Sequence, residues 1–241
     1  MKTAVVTGSV KGIGKSIGLK LLREGCFVIF NYATDDEAAS QLNEELCHEF
    51  VGKYKIIQSD LSNIDNVNDF ADACVSTIHK IDYLVLNAGR TERSPFGSVE
   101  LESWNEVMNV NLNMPFFLVQ KLSANMNENG KIIFIGSIMG IEPHAMSISY
   151  GVSKAGVHFL VKSLVKVFAS RRITVNAVVP GFVDTLWQKT KAADHRKRIE
   201  DKIALNRFAL PEEIADAVYT VLQNDYINGS IVRVDGGYDY K

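Results

Sequence analysis

Cysteine is scarce in this chain: Cys26, Cys47 and Cys74 are odd in number and show neither a C-x-x-C spacing nor a flanking histidine. No disulfide framework or zinc site is indicated, and idle thiols in a reducing compartment are the expectation. Charge of one sign is equally lacking, with 26 Lys+Arg against 28 Asp+Glu. Without a basic excess or a basic stripe interleaved with aromatics, there is no electrostatic footprint for nucleic acid or for an acidic membrane surface. No apolar run approaches the roughly 20 residues that span a bilayer. Met1-Lys2 leads straight into the strand-like Thr3-Ala4-Val5-Val6-Thr7, without the apolar core and cleavage site of a secretory signal. A cytoplasmic protein with a small partner is expected. Internal repeats, low-complexity tracts and Pro/Gly/Ser linkers are missing too. At 46% hydrophobic, residues 1–241 are therefore expected to form a single α/β domain.

Short apolar runs bounded by turn residues recur at Ala4–Thr7, Phe27–Phe30, Tyr54–Gln58, Tyr83–Leu86, Lys131–Ile135, Thr174–Val178 and Ile231–Val234. Each suits a strand buried on both faces. Between them, apolar residues stand three and four apart, as in Ile13-Ile17-Leu21, Ala38-Leu42-Leu46, Val107-Val110-Met114 and Phe159-Val161-Leu164-Phe168, which predicts helices. The βαβ alternation predicts a Rossmann-type, doubly wound, seven-stranded parallel sheet. Its ligand crevice lies beyond the carboxyl ends of the strands.

The first strand runs into Thr7-Gly8-Ser9-Val10-Lys11-Gly12-Ile13-Gly14 and then a helical pattern. Glycines in that context let the backbone approach a pyrophosphate at a helix N-terminus, although a tight connection is the plainer reading. Asp60-Leu61 follows the third strand and Asn87-Ala88-Gly89 the fourth, on the edge where an adenosine would lie. Asp60 also reads as a helix N-cap before Asn63–Ile78. The second strand ends Ile29-Phe30-Asn31-Tyr32-Ala33, without the carboxylate that would accept from the ribose 2′-hydroxyl of NAD. Lys11 would sit as a point charge beside a 2′-phosphate, so NADP(H) is preferred, with NAD(H) as the second coenzyme. Asp35 and Asp36 oppose that preference unless they face outward at a helix start.

Tyr150-Gly151-Val152-Ser153-Lys154 opens a helix and stacks a phenol and an ammonium on one face. Free tyrosine titrates near about 10, and a neighbouring ammonium would lower that value. Ser137, after the fifth strand, would place a hydroxyl against the same carbonyl oxygen. Asn111 would hold a water in a proton path to Lys154, with a surface amide as the bland alternative. His144 reads as an exposed loop histidine.

These residues resemble the short-chain dehydrogenase/reductase family: Thr-Gly-x-x-x-Gly-x-Gly at 7–14, Asn87-Ala88-Gly89, Asn111, Ser137, Tyr150 with Lys154, and Pro180-Gly181. The resemblance implies a catalytic set of Asn111, Ser137, Tyr150 and Lys154, no metal, and a coenzyme site along the strand ends. In it, Tyr150 and Lys154 also touch the coenzyme, and Pro180, Gly181, Val183 and Thr185 close on the nicotinamide. It further implies a substrate lid at about 183–208 and a homotetramer paired through the helices of 107–122 and after Tyr150. Within the family the chain is most similar to 3-oxoacyl-acyl-carrier-protein reductases of fatty acid biosynthesis, through Ile173-Thr174-Val175-Asn176-Ala177, Pro211-Glu212-Glu213-Ile214-Ala215 and Val234-Asp235-Gly236-Gly237. That implies NADPH-dependent reduction of a 3-oxoacyl thioester on an acyl carrier protein. Arg171 matches a carrier-facing basic position, and Lys189 to Arg207 carries seven Lys/Arg against three Asp/Glu, a basic lid or a solvated helical face. A second carrier-facing basic position holds Glu128, Leu86 replaces an asparagine, Arg90-Thr91-Glu92-Arg93 is unusually charged, and Ser147 and Ser149 replace Gln and Asn. These departures border the substrate side. They keep open a free ketone or secondary alcohol as substrate and, in another class, a catalytically silent nucleotide-binding regulator.

Overall fold

The apolar runs become β1 (Thr3–Val6), β2 (Phe27–Tyr32), β3 (Tyr54–Gln58), β4 (Ile81–Leu86), β5 (Met126–Ile135), β6 (Thr174–Pro180) and β7 (Ile231–Val234). A computed structural model of the chain describes residues 1–189, 192–238 and 240. All strand pairs are parallel, in the order β3-β2-β1-β4-β5-β6-β7. The fold is the expected doubly wound sheet. Its order reverses between β1 and β4, which opens a crevice at their carboxyl ends.

The helices are α1 (Gly12–Arg23), α2 (Asp36–Leu46), α3 (Ile64–Ile78), α4 (Leu101–Met108), α5 (Met114–Leu122), α6 (Ile148–Phe168), α7 (Leu186–Lys189), α8 (Ala193–Glu200) and α9 (Pro211–Gln223). One apolar layer joins Ile17, Leu21, Leu42 and Val218 of α1, α2 and α9 to one face of the sheet. The other joins Phe70, Leu118, Val161 and Leu164 of α3, α5 and α6 to the opposite face. Fully burying each such side chain contributes about 1.5–3 kcal/mol relative to exposure. α1 packs closely on β2 at Gly18, where an added Cβ would lie 2.1 Å from the Phe30 ring.

β1, β2, β4 and β6 shift or extend by one or two residues from expectation, and two larger differences have clear physical reasons. β5 begins at Met126, ahead of its apolar run, because Met126 pairs with Ile81 before a register shift across the polar Asn127–Gly130 stretch. The helix expected through 107–122 is broken by a π turn at Asn109–Asn113. Pro115 has no N–H to return to the Asn111 carbonyl four residues back, so the α-helical ladder cannot run through that turn. No helix among the described residues is long and apolar enough to cross a membrane.

Candidate active site

The β1–α1 turn is held by its own Thr7 and by side chains from the ends of the two neighbouring strands, β2 and β4. Gly8 and Gly12 adopt φ of +58° and +56°, the left-handed region that glycine enters without a Cβ penalty. Gly14 must be glycine for another reason: a Cβ there would stand 2.4 Å from the Gly8 carbonyl oxygen and 2.5 Å from Asn87 Nδ2. Asn87 Nδ2 donates to the carbonyls of Thr7 (3.0 Å) and Gly8 (2.8 Å). Thr7 Oγ1 accepts in return from the amides of Asn87 and Ala88, both at 3.0 Å. From β2, Asn31 Oδ1 accepts from the Gly8 amide at 3.1 Å while its Nδ2 donates to the Ser59 carbonyl at 3.0 Å. The Asn31 amide is therefore committed to structure. Lys11 stands at the N-cap of α1 without a side-chain capping bond, and the first turn contains no acid. The helix thus presents open amides and the positive end of its dipole to the crevice.

A cavity of about 400 Å³ runs along the strand ends from this turn. Its walls include the expected residues Gly8, Lys11, Gly12, Ile13, Asp60, Leu61, Asn87, Ala88, Gly89, Pro180, Gly181, Val183 and Thr185, and at its far end Ser137, Tyr150 and Lys154. Three expected site residues lie behind the wall. Ser9 is wholly buried, donating to the Val6 carbonyl (2.6 Å) and accepting from the Asn31 amide (3.0 Å). Gly14 packs under the turn, and Asn111 is 2% exposed. Residues not foreseen also line the cavity: Val10, the β2 end from Asn31 to Asp35, Ser59, Gly136, and Leu186, Trp187 and Gln188 of α7. The signal for them was positional, since each follows the carboxyl end of a strand.

At the far end, Tyr150 and Lys154 stand one turn apart on α6, with Lys154 Nζ 5.6 Å from the phenol ring centroid. Lys154 is 4% exposed, donates to the Ile135 carbonyl at 2.7 Å, and is brought down by burial to about 8. The Tyr150 phenol moves the other way. Burial raises it, and the hydrogen bond with Ser137 offsets this only in part. The expected downward pull from Lys154 does not appear: Ser137 alone lowers the phenol, desolvation outweighs it, and the phenol is held protonated. Ser137 caps the short 3-10 turn Ile138–Gly140, its Oγ accepting from the Met139 amide at 3.2 Å. His158, one turn beyond Lys154, is 7% exposed and lowered to about 4, first by burial and then by the Lys154 charge.

The remaining expectations fare unevenly. The Asn111 side chain does not reach for a water: Nδ2 donates to the Arg90 carbonyl and Ser153 Oγ, each at 2.9 Å, and Oδ1 accepts from the Arg90 amide at 2.8 Å. It is a clamp between the 87–90 turn and α6. The α3 N-cap is Asn63, not Asp60, because Asn63 reaches the Asn66 amide at 3.0 Å. Arg171 is turned inward, donating to the carbonyls of Ser123 and Met126, and Glu128 pairs with Arg172 at 3.0 Å. In the lid segment Arg196 pairs with Asp184 and Glu200, Lys197 with Asp201, and Arg207 with Glu213. Three of the seven basic residues are therefore paired, while Arg198 and Lys202 are exposed; Lys191 lies outside the described residues. His144 is exposed, and no group of three or more His, Cys, Asp or Glu among the described residues could hold a metal ion.

Comparison with known proteins places this geometry. A family model described as enoyl-(acyl carrier protein) reductase matches residues 8–239. An uncharacterized oxidoreductase, YmfI, of Bacillus subtilis is 36% identical over 98% of both chains. The 3-oxoacyl-[acyl-carrier-protein] reductase FabG of Aquifex aeolicus is 33% identical over 98% of this chain and 96% of its own. Among solved structures, a short-chain dehydrogenase/reductase from Serratia marcescens superposes with a TM-score of 0.93 at 30% identity, covering 99% of this chain and 98% of its own. A metagenomic blue fluorescent protein in complex with NADPH gives 0.93 at 28% identity, covering 100% and 98%. With Ser137, Tyr150 and Lys154 gathered at the end of a strand-edge cavity, the chain belongs to the short-chain dehydrogenase/reductase family of NAD(P)-dependent oxidoreductases.

Proposed function

We propose that the protein reduces the 3-oxo group of an acyl thioester, carried on an acyl carrier protein, to the 3-hydroxy product with NADPH. The observation that carries the reading is the hydrogen-bonded Ser137–Tyr150 pair beside Lys154, at the opposite end of one cavity from the glycine turn. The relationship to FabG over nearly the whole chain supports the substrate class. Cavity and coenzyme are compatible: left-handed glycines, a cradle at Gly14 that a Cβ would fill, and an uncapped α1 terminus suit a pyrophosphate. Lys11 is the cation near a 2′-phosphate, which supports NADP(H) over NAD(H).

The reduced nicotinamide, when bound, supplies the hydride for the substrate's β-carbon. Tyr150 Oη gives its proton to the substrate oxygen as charge develops there, and the raised phenol is in the correct state for that step. Ser137 Oγ donates to the same oxygen and fixes it. Lys154 keeps one N–H on Ile135 and has two others for the coenzyme ribose and for returning a proton toward Tyr150. The Asn111 main-chain carbonyl, which Pro115 deprives of an α-helical donor, is the group left to hold a relay water. Residues 183–208 act as the lid, with Leu186, Trp187 and Gln188 over the cavity.

A second reading, reduction of a free ketone or oxidation of a secondary alcohol, is favoured by the inward-turned Arg171, the Glu128–Arg172 pair and the pairing of Arg196, Lys197 and Arg207, which take these cations away from an acidic carrier. A homotetramer in the cytoplasm completes the proposal: Phe117 of α5 and Val152, Phe159 and Val167 of α6 are exposed apolar side chains on the pairing helices. Comparing kcat/KM for acetoacetyl thioesters, diketones and steroids, with NADPH and NADH side by side, tests it. The thioester should win with NADPH. Preference for a free ketone would establish the second reading, and tight NADPH binding without turnover of any carbonyl would point to a regulator. Tyr150→Phe should lose at least about 100-fold in kcat; full activity in that variant would remove Tyr150 as the acid.

A further inference from the structure

The outer end of the cavity carries an ion pair that the coenzyme reading leaves unexplained. Lys11 and Lys154 are the cavity's only lysines, with no arginine, among the described residues, and Lys154 lies at the far end. Lys11 is bound to the Asp35 carboxylate, with side-chain exposures of 52% and 36%. The two partners are not equally free. Asp35 is the N-cap of α2, and its other oxygen accepts from the Ala38 amide at 3.0 Å. Lys11 has a flexible stem and, among the described residues, no second ion-pair partner. The carboxylate is the fixed member of the pair and the ammonium the movable one.

The Asn31 amide is consumed by Gly8 and Ser59, and the other polar side chains of the β2 end that line the cavity besides Asp35, Tyr32 and Thr34, are neutral hydroxyls that bring no charge to offset the carboxylate. Asp36, next along, receives Gln58 Nε2 at 3.3 Å and adds a second negative charge to the same turn. The α2 N-terminus, which would otherwise favour an anion, already spends its dipole on Asp35. Asp35 is held below the usual carboxylate range, first by Lys11 and then by the Ala38 amide, so it is ionised at neutral pH.

Resting on the coenzyme reading above, we propose that Asp35 is a specificity-determining residue that competes with the 2′-phosphate of NADP(H) for Lys11 and so narrows the preference for NADP(H) over NAD(H). A 2′-phosphate draws the Lys11 ammonium away from Asp35 and leaves a fixed carboxylate beside a dianion. A free 2′-hydroxyl meets the opposite situation, because the carboxylate accepts its hydrogen bond while Lys11 stays paired. Lys11 thus creates selectivity for the phosphorylated ribose, and Asp35 limits it.

The test uses calorimetric titration of the whole protein with 2′,5′-ADP and 5′-AMP, two adenosine fragments that differ in the 2′-phosphate and need no turnover. Asp35→Asn keeps an N-cap acceptor, so α2 is preserved. It should tighten 2′,5′-ADP by about three- to tenfold and leave 5′-AMP unchanged or weaker, with the gain shrinking as salt is raised. In a Lys11→Met background the same substitution should recover only the part due to relieved repulsion, less than in the unsubstituted protein. Asp35→Ser, also a good cap, serves as the second variant should Asp35→Asn melt early. An Asp35→Asn protein with native circular dichroism and unchanged or weaker 2′,5′-ADP binding would overturn the proposal. Failure of the unsubstituted protein to bind either fragment would instead overturn the coenzyme reading on which it rests.

Discussion

The imidazole of His158 fills the space in which a side chain on Gly136 would begin: a Cβ there would lie 2.4 Å from Nε2. Gly136 precedes Ser137, and a Cβ on Gly140, at the other end of the same turn, would fall 2.9 Å from His158 Cε1. His158 is hydrogen-bonded to the Gly140 backbone, and its Nε2 has no partner among the described residues. The histidine is therefore part of the seat that holds Ser137 against α6, and it stays there neutral.

Neutral burial makes stability depend on pH. His158 falls from 6.5 to about 4 on folding, so between those values the unfolded chain takes up a proton that the folded chain refuses. Its contribution is complete above pH 6.5 and is lost as the pH falls toward 4, to a total on the order of 3 kcal/mol. Urea unfolding across that window should show the slope, and His158→Gln should flatten it. An unchanged slope in the variant would assign the acid sensitivity elsewhere.

Lys154 sets chemistry against stability. Its descent from 10.5 to about 8 means that the charged ammonium opposes folding, fully so below about pH 8 and progressively less toward 10.5. Lys154→Met removes a burden on the order of 3 kcal/mol and gives up the bond to Ile135, worth about 1 kcal/mol. Thermal denaturation at pH 7 should therefore show a higher Tm for the variant while reductase activity collapses. In the unsubstituted enzyme, reductase kcat should decline on the alkaline side near pH 8, as the ammonium loses its charge.

Arg171 separates a scaffold role from a docking role. Its guanidinium satisfies the carbonyls of Ser123 and Met126 where α5 turns into β5. Arg171→Ala should cost about 1–3 kcal/mol in chemical denaturation, as two carbonyls lose a charged donor. The ratio of kcat/KM for carrier-borne and free thioesters should stay within about twofold. A selective loss with the carrier-borne substrate would restore Arg171 as a docking residue.

Asn111→Leu keeps volume but strands the Arg90 amide, the Arg90 carbonyl and Ser153 Oγ. The expected cost is about 2–4 kcal/mol in stability, with KM for the coenzyme rising as the Gly89–Arg90 turn loosens. Denaturation and initial-rate measurements on the one variant check both.

Much of the sheet was legible because strands buried on both faces must be nearly continuous apolar runs, and β3 and β7 were bounded to the residue. The polar start of β5 was not, since Asn127-Glu128-Asn129-Gly130 enters the sheet region through pairing geometry that no local pattern encodes. At the site, the residues singled out by type, Ser137, Tyr150 and Lys154, are brought to one cavity. What the pattern could not show is which side chains serve their neighbours: those of Ser9 and Asn111 are engaged in buried hydrogen bonds. The direction of the Tyr150 shift was also beyond a spacing argument, because it depends on how much water the fold removes.

The parallel order β3-β2-β1-β4-β5-β6-β7 also assigns the two ends of the cavity to different times in the life of the chain. By residue 89 a ribosome has delivered β1 to β4, the glycine turn and its Asn31 and Asn87 staples. The serine, tyrosine and lysine arrive only with β5 and α6, and β1 cannot pair with β4 until residues near position 5 meet those near 84. The glycine-turn end of the cavity is thus synthesised first, and the Ser137–Tyr150–Lys154 end exists only once the second half has docked on it.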